Sequence, residues 1–454
     1  MKRMARFLIP FLALVLVAAL CAVPMSAEDN VIFIKDGAAG DGSSAESALK
    51  PTTGNYDTTA SKPDKFKDAA LYQAWEKLIA AGGGTIVVCG PYTLDNNNCK
   101  PIGASSADFM FLDLSMYKKD ITITYTSVYN GVDYAATAGA KIVMKGLSHL
   151  TFPTSTLLEN ITIEADAELK QHFICGGLNN FTVGQGTKLI PSDPEDPTTY
   201  PVILGGFRNN GSGLTEGDAN VIVDVGDENK VGYVYGLNNG SKATKGTSTV
   251  TIKSGIIEGK VYGDSRISAQ SPLEGRVTIN LEGGIFKDLI AGLNAGFVNT
   301  DGVVTVNVSG GNFTDCLGVF DADVTVASNL PALAILDMSK ADAATAGAVK
   351  ALSAGFTEIY EPAGGAAAPE TTTAAPETTT AAPETTTAAP ETTAAPETTE
   401  APETTEAKAD AETTTAAPTA PKAEDGTPIG LIVGIVAAVI VIAVIVVVVV
   451  KKKK

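Results

Sequence analysis

Six residues between positions 208 and 266 carry side chains that could bind a sugar or take part in its chemistry. They are Arg208, Tyr233, Tyr235, Tyr262, Asp264 and Arg266. Tyrosine rings can stack on the apolar faces of pyranose rings, and arginine donates paired hydrogen bonds to carboxylates. The same tyrosines could instead serve as inward or rim packing in a repetitive β-protein. The pattern therefore predicts a candidate ligand face without excluding a packing role.

Asparagine recurs in the same region at a regular place in the pattern. Each of four copies follows a glycine by two or three positions: Asn179, Asn209, Asn238 and Asn294. Asparagine tolerates left-handed backbone angles, and its amide can stack in an internal ladder. Alternatively, the four amides form a row that binds sugar hydroxyls. The sequence leaves both interpretations open.

The acidic residues of this region do not form a catalytic pattern. Aspartate at strand ends and turns more often forms an Asx turn than half of a catalytic pair. Five acids fall at such places: Asp224, Asp227, Asp264, Asp288 and Asp315. The two histidines, His149 and His172, have no paired carboxylates near them in the sequence. We therefore predict a non-enzymatic function: adhesion, binding of a glycan or protein partner, or a structural surface layer.

Metal and disulfide chemistry have weak support in the sequence. No residues have the spacing of metal ligands, so no cofactor is predicted. The acidic composition leaves calcium loading as the alternative to a purely solubilising role. Cys89 and Cys99 flank a nine-residue segment, and a small surface disulfide between them is predicted in an oxidising exterior. Cys175 and Cys316 lie in apolar strand patterns and are predicted to be buried.

A repeat of 26 to 30 residues must position these side chains. Within each unit the apolar residues alternate with period two, which excludes a helical repeat and favours a parallel β-helix. The turn glycines are predicted to supply backbone angles that side chains disfavour. The repeat is marked by one corner glycine in each unit: Gly177, Gly206, Gly236, Gly263, Gly292 and Gly318.

The clearest alignment of strands lies late in the repeat. Three similar segments, 27 residues apart, are predicted to begin equivalent strands: Val250-Thr251-Ile252, Val277-Thr278-Ile279 and Val304-Thr305-Val306. The alternation buries every second residue in a continuous column. Three apolar residues after the next corner are predicted to point inward: Ile257, Phe286 and Phe313.

The start of this region has a recognisable order of elements. A strand at 31–34 precedes a Gly/Ser loop, and Asp64 can cap an amphipathic helix over about 65–80. Glycines at 82–84 end that helix, and a buried strand begins at Thr85. This order resembles the N-terminal cap of pectate-lyase-like right-handed parallel β-helix proteins. The resemblance covers about residues 31–94 directly and implies the fold for the coils that follow.

The same resemblance supplies the alternative function, an extracellular polysaccharide lyase or glycoside hydrolase of the pectin-lyase-like fold. Members with these activities carry Gly-Asp-Asp, Gly-His-Gly and Arg-Ile-Lys motifs, or Trp-x-Asp-His and Arg-x-Pro-x-x-Arg motifs. The sequence contains none of them. Catalytic residues are therefore not carried over, and binding remains the leading interpretation.

The head is predicted to span residues 28–361, with coils over about 85–330 and a C-terminal cap over about 331–361. An open end of a β-helix needs a cover, because its edge strand would otherwise pair with another chain. Ser339 to Asp342 has the spacing of a capping box, and a helix is predicted from there through Leu352. The predicted fold class is an all-β, right-handed parallel β-helix with an N-terminal capping helix.

The two ends of the chain indicate export and attachment. Basic residues precede an apolar run in 1–27, which predicts a cleaved secretory signal peptide. Residues 429–450 carry no charge and are long enough to span a bilayer as one helix, and four lysines at 451–454 indicate a cytoplasmic tail. A removable anchor signal is the alternative. The predicted location is a single-pass cell membrane protein with its head outside, on a Gram-positive-type surface.

A stalk connects the predicted head to the predicted span. Residues 362–428 repeat Glu-Thr-Thr-Thr-Ala-Ala-Pro in decaying copies, with too little apolar bulk to fold. The whole chain carries a net charge of −18 over 454 residues. A surface of that sign repels nucleic acid, so the predicted partners are an extracellular glycan or surface protein, and the membrane only through the span.

Overall fold

The computed structural model describes residues 30–51, 69–95, 100–103, 106–109, 116–146, 148–167, 171–208, 215–239, 243–266, 273–298, 301–324 and 329–363. The chain divides into a compact unit of residues 1–371, which contains all of these, and a second unit from 372. The predicted signal peptide, span and tail lie outside the described residues, as does the stalk beyond 363. Within the described part, no helix is both long and apolar enough to cross a bilayer.

Parallel strands in long sheets form most of the structure. The first sheet has eleven parallel strands, in spatial order Val31–Ile34, Gly84–Val88, Lys118–Thr126, Thr154–Leu158, Asn180–Val183, Ala219–Asp224, Thr244–Ser254, Leu273–Leu281, Val303–Val308, Leu333–Asp337 and Glu358–Tyr360. The second sheet has ten strands: Lys100–Gly103, Ser106–Phe109, Ser148–Thr151, Phe173–Cys175, Val202–Leu204, Val234–Tyr235, Val261–Tyr262, Leu289–Ala291, Gly318–Phe320 and Ser353–Ala354. In this sheet only the pairing of its first two strands is antiparallel.

A third sheet completes the cross-section in two parts. The first part holds Pro91–Leu94, Lys141–Met144, Thr162–Ala165 and Lys188–Ile190, and the second holds Lys230–Val231, Ile256–Ile257 and Ile285–Phe286. From residue 84 to 291 the chain visits the first, third and second sheets in turn, once per coil. The molecule is thus all-β with few helices, and its sheets are consistent with a parallel β-helix solenoid, as the repeat predicted.

The interior is a set of columns in which register partners from successive coils stack. One column in the first sheet contains six buried apolar residues: Phe181, Val221, Val250, Ile279, Val306 and Leu336. The predicted equivalence of Val277 and Val304 is confirmed. For Val250 the pattern allowed either Ile279 or Val277 as the partner; the structure pairs it with Ile279, and Val277 pairs with Ser248. That step of the repeat is 29 residues long rather than 27.

The glycines of the repeat serve two purposes. Positive φ angles, as predicted for turn glycines, occur at Gly177 (65°), Gly255 (109°), Gly284 (89°) and Gly311 (116°). Gly205, Gly236, Gly263 and Gly292 follow register-paired strand ends, and none of them has a positive φ. A Cβ atom added to Gly236 would lie 2.2 Å from the carbonyl oxygen of Gly263 in the next coil. These four glycines are therefore required by the close approach of stacked backbones. Gly318 is not a corner residue, because it lies within a strand opposite Leu289.

Helices lie near both ends of the solenoid. The N-terminal helix, Ala70–Ala81, buries Leu71, Trp75 and Leu78 and ends at Gly82 in the left-handed conformation. No side chain caps its first turn, and the predicted cap, Asp64, lies outside the described residues. In the last coil a helix, Ala343–Leu352, occupies the chain position of a third-sheet strand.

The capping-box prediction for that last helix is wrong. The N-cap is Asp342 rather than Ser339. The Asp342 carboxylate accepts a hydrogen bond from the Thr345 backbone N–H at 2.8 Å. Two further short helices are Tyr134–Ala138 and a 3₁₀ turn at Pro197–Thr199. A two-stranded hairpin, Val128–Tyr129 with Val132–Asp133, precedes the first of them.

Candidate functional site

The outer face of the second sheet carries an apolar cluster of its own. Val234 and Val261 belong to the interior core, so their neighbours Tyr235 and Tyr262 point away from it. The residues of this outer cluster are Phe173, Cys175, Val202, Leu204, Tyr235, Tyr262, Leu289 and Ala291, with Tyr233 and Phe320 packed against them. The candidate tyrosines thus lie on the outside of the sheet rather than in the solenoid core.

Three tyrosines form a stack on this face, which we call the tyrosine ladder. The ring centroids of Tyr233 and Tyr235 are 6.3 Å apart at an interplanar angle of 13°. Those of Tyr235 and Tyr262 are 5.0 Å apart at 14°. Tyr262 and Tyr235 are only 3% and 6% exposed, whereas Tyr233 is half-buried. Tyr233 is thus the member that a ligand can reach, and the other two support it.

The inner members of the ladder stay neutral. Burial raises the pKa of the Tyr235 phenol well above its usual value. Burial does the same to the pKa of Tyr262, whose hydroxyl also donates a hydrogen bond of 2.9 Å to Asp323. Lys260 lies 3.5 Å from the same Asp323 carboxylate. Neither buried phenol can therefore lose a proton near neutral pH.

Two arginines lie against one phenylalanine ring beside the ladder. The Arg208 guanidinium carbon is 4.9 Å from the Phe173 ring centroid, and that of Arg266 is 5.4 Å away. Arg266 donates to the side-chain oxygens of Asn239 at 3.1 Å and Gln171 at 2.5 Å. We call these five residues the Phe173 cluster. It combines cation–π contacts with a fixed guanidinium plane.

Arg266 forms no ion pair with a carboxylate in the described part of the chain. Its hydrogen-bond partners Asn239 and Gln171 are neutral, and no described carboxylate forms an ion pair with it. Arg266 is partly buried rather than fully buried. In a strongly acidic protein, this is a place where a negative ligand is favoured.

Asp264 is placed differently from the other five candidate residues. Its side chain is fully buried, and its two carboxylate oxygens accept hydrogen bonds from three consecutive backbone N–H groups in the next coil. The distances are 2.7 Å to Asn294, 2.8 Å to Ala295 and 2.7 Å to Gly296. Burial raises the pKa of Asp264 to about 7, against the effect of these donors. The carboxylate therefore binds the backbone of the corner at residues 294–296 and is not exposed to a ligand.

A buried histidine lies beneath the Phe173 cluster. His149 Nδ1 accepts a hydrogen bond from the backbone N–H of Phe173 at 3.2 Å, which places the proton on Nε2. That Nε2 has no partner among the described residues. Burial, and next the charge of Arg208, hold the pKa of His149 well below its usual range. The His149 imidazole is thus neutral, and it helps to position the Phe173 backbone.

The candidate asparagines are engaged with the protein backbone. Asn179 donates to the Gly176 carbonyl at 3.0 Å, and the Asn238 oxygen accepts from the Phe207 backbone at 2.6 Å. Neither residue has a positive φ, so tolerance of left-handed angles does not explain them. Asn209 lies outside the described residues. A side-chain ladder does occur on the first sheet, where Asn307 donates to Asn280 at 2.8 Å.

Neither a disulfide nor a metal site is visible in the described part of the chain. Cys89 is buried, with its sulfur 3.5 Å from the Ile34 carbonyl, and Cys99 lies outside the described residues. The predicted disulfide therefore stays a prediction, although Cys89 is not at the surface. Cys175 and Cys316 are buried, as expected. The described residues contain no group of three or more His, Cys, Asp or Glu side chains arranged to hold a metal.

Sequence reasoning did not place Phe173, Gln171 or Asn239 at the candidate site, and it considered His149 only for catalysis. Nothing in their local sequence marks them, because the three-dimensional coil brings Gln171 and Arg266 together across 95 residues. The described residues form an all-β structure with long parallel sheets, consistent with a solenoid, and the outer face of the second sheet carries aromatic and cationic side chains. Comparisons with protein-family models, with curated proteins and with solved structures found no match.

Proposed function

We propose that the head of this protein is a non-enzymatic binding solenoid that recognises a carboxylate-bearing extracellular glycan at the Phe173 cluster. The observation that carries the proposal is Arg266, a partly buried arginine fixed by Asn239 and Gln171 with no acidic ion-pair partner among the described residues. A planar fork of donors matches a carboxylate in two hydrogen bonds. Tyr233, at the accessible end of the ladder, offers a ring for the sugar next to it.

Binding is favoured over cleavage by the state of the titratable groups around the cluster. Glycan cleavage needs an acid or base placed at the ligand with a pKa near the working pH. Asp264 has such a pKa, but its oxygens are occupied by three backbone N–H groups. Tyr235 and Tyr262 are held neutral, and His149 is buried. None of the five described side chains of the Phe173 cluster gains or loses a proton near neutral pH.

The wider arrangement rests on the sequence. We propose a right-handed β-helix of the pectate-lyase-like kind, exported by residues 1–27 and carried on a stalk of residues 362–428. A helix over 429–450 would fix it in the membrane of a Gram-positive-type cell. Protease added to intact cells should release a fragment that ends within 363–428 and leave 451–454 protected. Digestion of that tail from outside would show that the orientation is reversed.

The binding proposal is tested with full-length protein in detergent and an array of acidic and neutral glycans. Arg266→Ala should weaken binding of uronic-acid oligomers at least about tenfold, since a charge-assisted hydrogen bond contributes about 1.5–3 kcal/mol. Arg276→Ala is the matched control, because Arg276 is exposed on the first sheet. Equal losses in both variants would contradict the site. Release of unsaturated sugar products by the parent protein would replace binding with lyase activity.

A further inference from the structure

An open pocket of 610 Å³ lies at the N-terminal end of the first sheet, away from the Phe173 cluster. One wall is the loop around Ser43 to Glu46, and the other is the hairpin and helix of residues 128–138. Three aromatic rings line it: Phe33, Tyr129 and Tyr134. Pockets of roughly 300–1,000 Å³ with aromatic walls and a few polar groups are typical of small-molecule sites.

The sequence builds the floor of this pocket from a strand with two apolar faces. Ile32 and Ile34 belong to the solenoid core, whereas Phe33 joins a separate outer cluster with Val87 and Cys89. The following loop folds back over this strand, because the Phe33 backbone N–H donates to Gly42 at 2.9 Å. The Phe33 carbonyl also accepts from Leu49 at 2.8 Å. The first wall is therefore tied to the sheet by backbone hydrogen bonds.

The second wall is equally well fixed. The hairpin turns at Asn130 and Gly131, with φ of 49° and 77°, which suits a tight two-residue turn. Asp133 then caps the short helix by accepting from Ala136 at 3.0 Å. Tyr134 donates its backbone N–H to Ser127 at 2.8 Å. The pocket is thus preformed, and a ligand need not order either wall.

The rings leave apolar surface open to solvent. Phe33 meets Tyr129 edge-to-face at 5.6 Å and 85°, and Tyr134 at 6.2 Å and 82°. Both tyrosines are half-buried, and neither hydroxyl has a hydrogen-bond partner among the described residues. Val132 on the hairpin is 40% exposed. Rings with one wet face and free hydroxyls suit a ligand that is itself apolar on one face and polar at its edge.

The polar wall decides the charge of that ligand. A backbone N–H and, next, the Ser44 hydroxyl hold the pKa of Glu46 below its usual value, and Glu46 is ionised at neutral pH. The Lys35 ammonium, which also lies near Glu46, donates to the Ala45 carbonyl at 2.7 Å. A carboxylate accepts hydrogen bonds from sugar hydroxyls and repels acidic sugars. We propose that this pocket binds a neutral hexopyranose unit of a glycan, with its ring against Tyr129 and Tyr134.

This proposal is independent of the Phe173 cluster, which is cationic and lies on another sheet. The test is titration calorimetry of full-length protein with neutral hexose oligomers and with their uronic-acid counterparts. Tyr129→Ala should weaken binding of the neutral oligomers at least tenfold. Tyr360→Ala is the matched control, since Tyr360 is 50% exposed at the far end of the first sheet, and it should bind like the parent.

Glu46→Gln supplies a second readout that a purely structural role would not change. The affinity of Glu46→Gln for neutral oligomers should stay within a few-fold of the parent's. Its affinity for uronic-acid oligomers should rise, because the repelling charge is gone. Arg266→Ala should leave neutral-sugar binding unchanged, which separates this pocket from the Phe173 cluster. Absence of neutral-sugar binding at millimolar concentration, or binding that Tyr129→Ala leaves intact, would overturn the proposal.

Discussion

The buried carboxylate of Asp264 accepts a hydrogen bond from the backbone N–H of Gly296, with 2.7 Å between Oδ2 and the nitrogen. Asn294 and Ala295 donate to the same carboxylate. One side chain thus satisfies three N–H groups of the following coil, which would otherwise be buried without partners. These hydrogen bonds tie the corner of one coil to the backbone of the next coil.

Asp264→Ala should destabilise the head strongly. Each buried N–H left without a partner costs about 1–3 kcal/mol, so the free energy of unfolding should fall by at least about 3 kcal/mol. The matched control is Asp315→Ala, which removes an exposed ion pair with Lys287 and should cost less than about 1 kcal/mol. Urea titration followed by circular dichroism gives both values. Similar losses for the two variants would contradict the role of Asp264.

The raised pKa of Asp264 predicts a dependence of stability on pH. Its pKa is about 7 when folded and 3.8 as the reference value, so the folded state binds the proton more tightly. The resulting stabilisation is present below about pH 4 and is lost as pH rises through 7.

Asp264→Asn is the comparison for this pH effect, because it cannot titrate. The advantage of the parent over Asp264→Asn in free energy of unfolding should shrink by more than about 1 kcal/mol from pH 4 to pH 8. Denaturant titrations of both proteins at pH 4, 6 and 8 measure this difference. A constant difference would mean that the three N–H donors keep the carboxylate ionised throughout.

Two glycine substitutions should have opposite effects. Gly236→Ala places a Cβ 2.1 Å from the Ser248 hydroxyl and 2.2 Å from the Gly263 carbonyl, so coils must separate and the midpoint of thermal unfolding should fall. Gly347 is exposed within the helix Ala343–Leu352, and no atom lies within 4 Å of an added Cβ. Gly347→Ala should stabilise by about 0.5–1 kcal/mol. Equal effects of the two changes on thermal midpoints would contradict the close-approach explanation.

Arg266→Lys tests whether the guanidinium plane matters or only its charge. Lysine cannot contact Asn239 and Gln171 with separate nitrogens as Arg266 does. We expect binding of uronic-acid oligomers to weaken more than about fivefold while the thermal midpoint stays within a few degrees. Arg276→Lys, on the exposed first sheet, should change neither quantity. If Arg266→Lys binds uronic-acid oligomers with the parent's affinity, then only the positive charge matters and the guanidinium plane does not.

The sequence by itself determined the class of fold. Alternation of apolar residues and the spacing of corner glycines are local properties, and they were sufficient to predict stacked parallel strands. The residue types of Tyr233 and Arg266 also sufficed to choose them as candidates. The equivalence of Val277 and Val304 followed from the same pattern.

Only the tertiary structure decided the register and the neighbours. Val250 pairs with Ile279 rather than Val277, because a shift of two residues buries the same face of a strand and leaves the pattern unchanged. The contact of Gln171 with Arg266 depends on the summed lengths of several coils. The conversion of Asp264 from a candidate ligand residue to a corner acceptor depends on backbone N–H groups one coil away. Contacts between residues of different coils depend on how the coils stack. A local pattern of side chains does not contain that information.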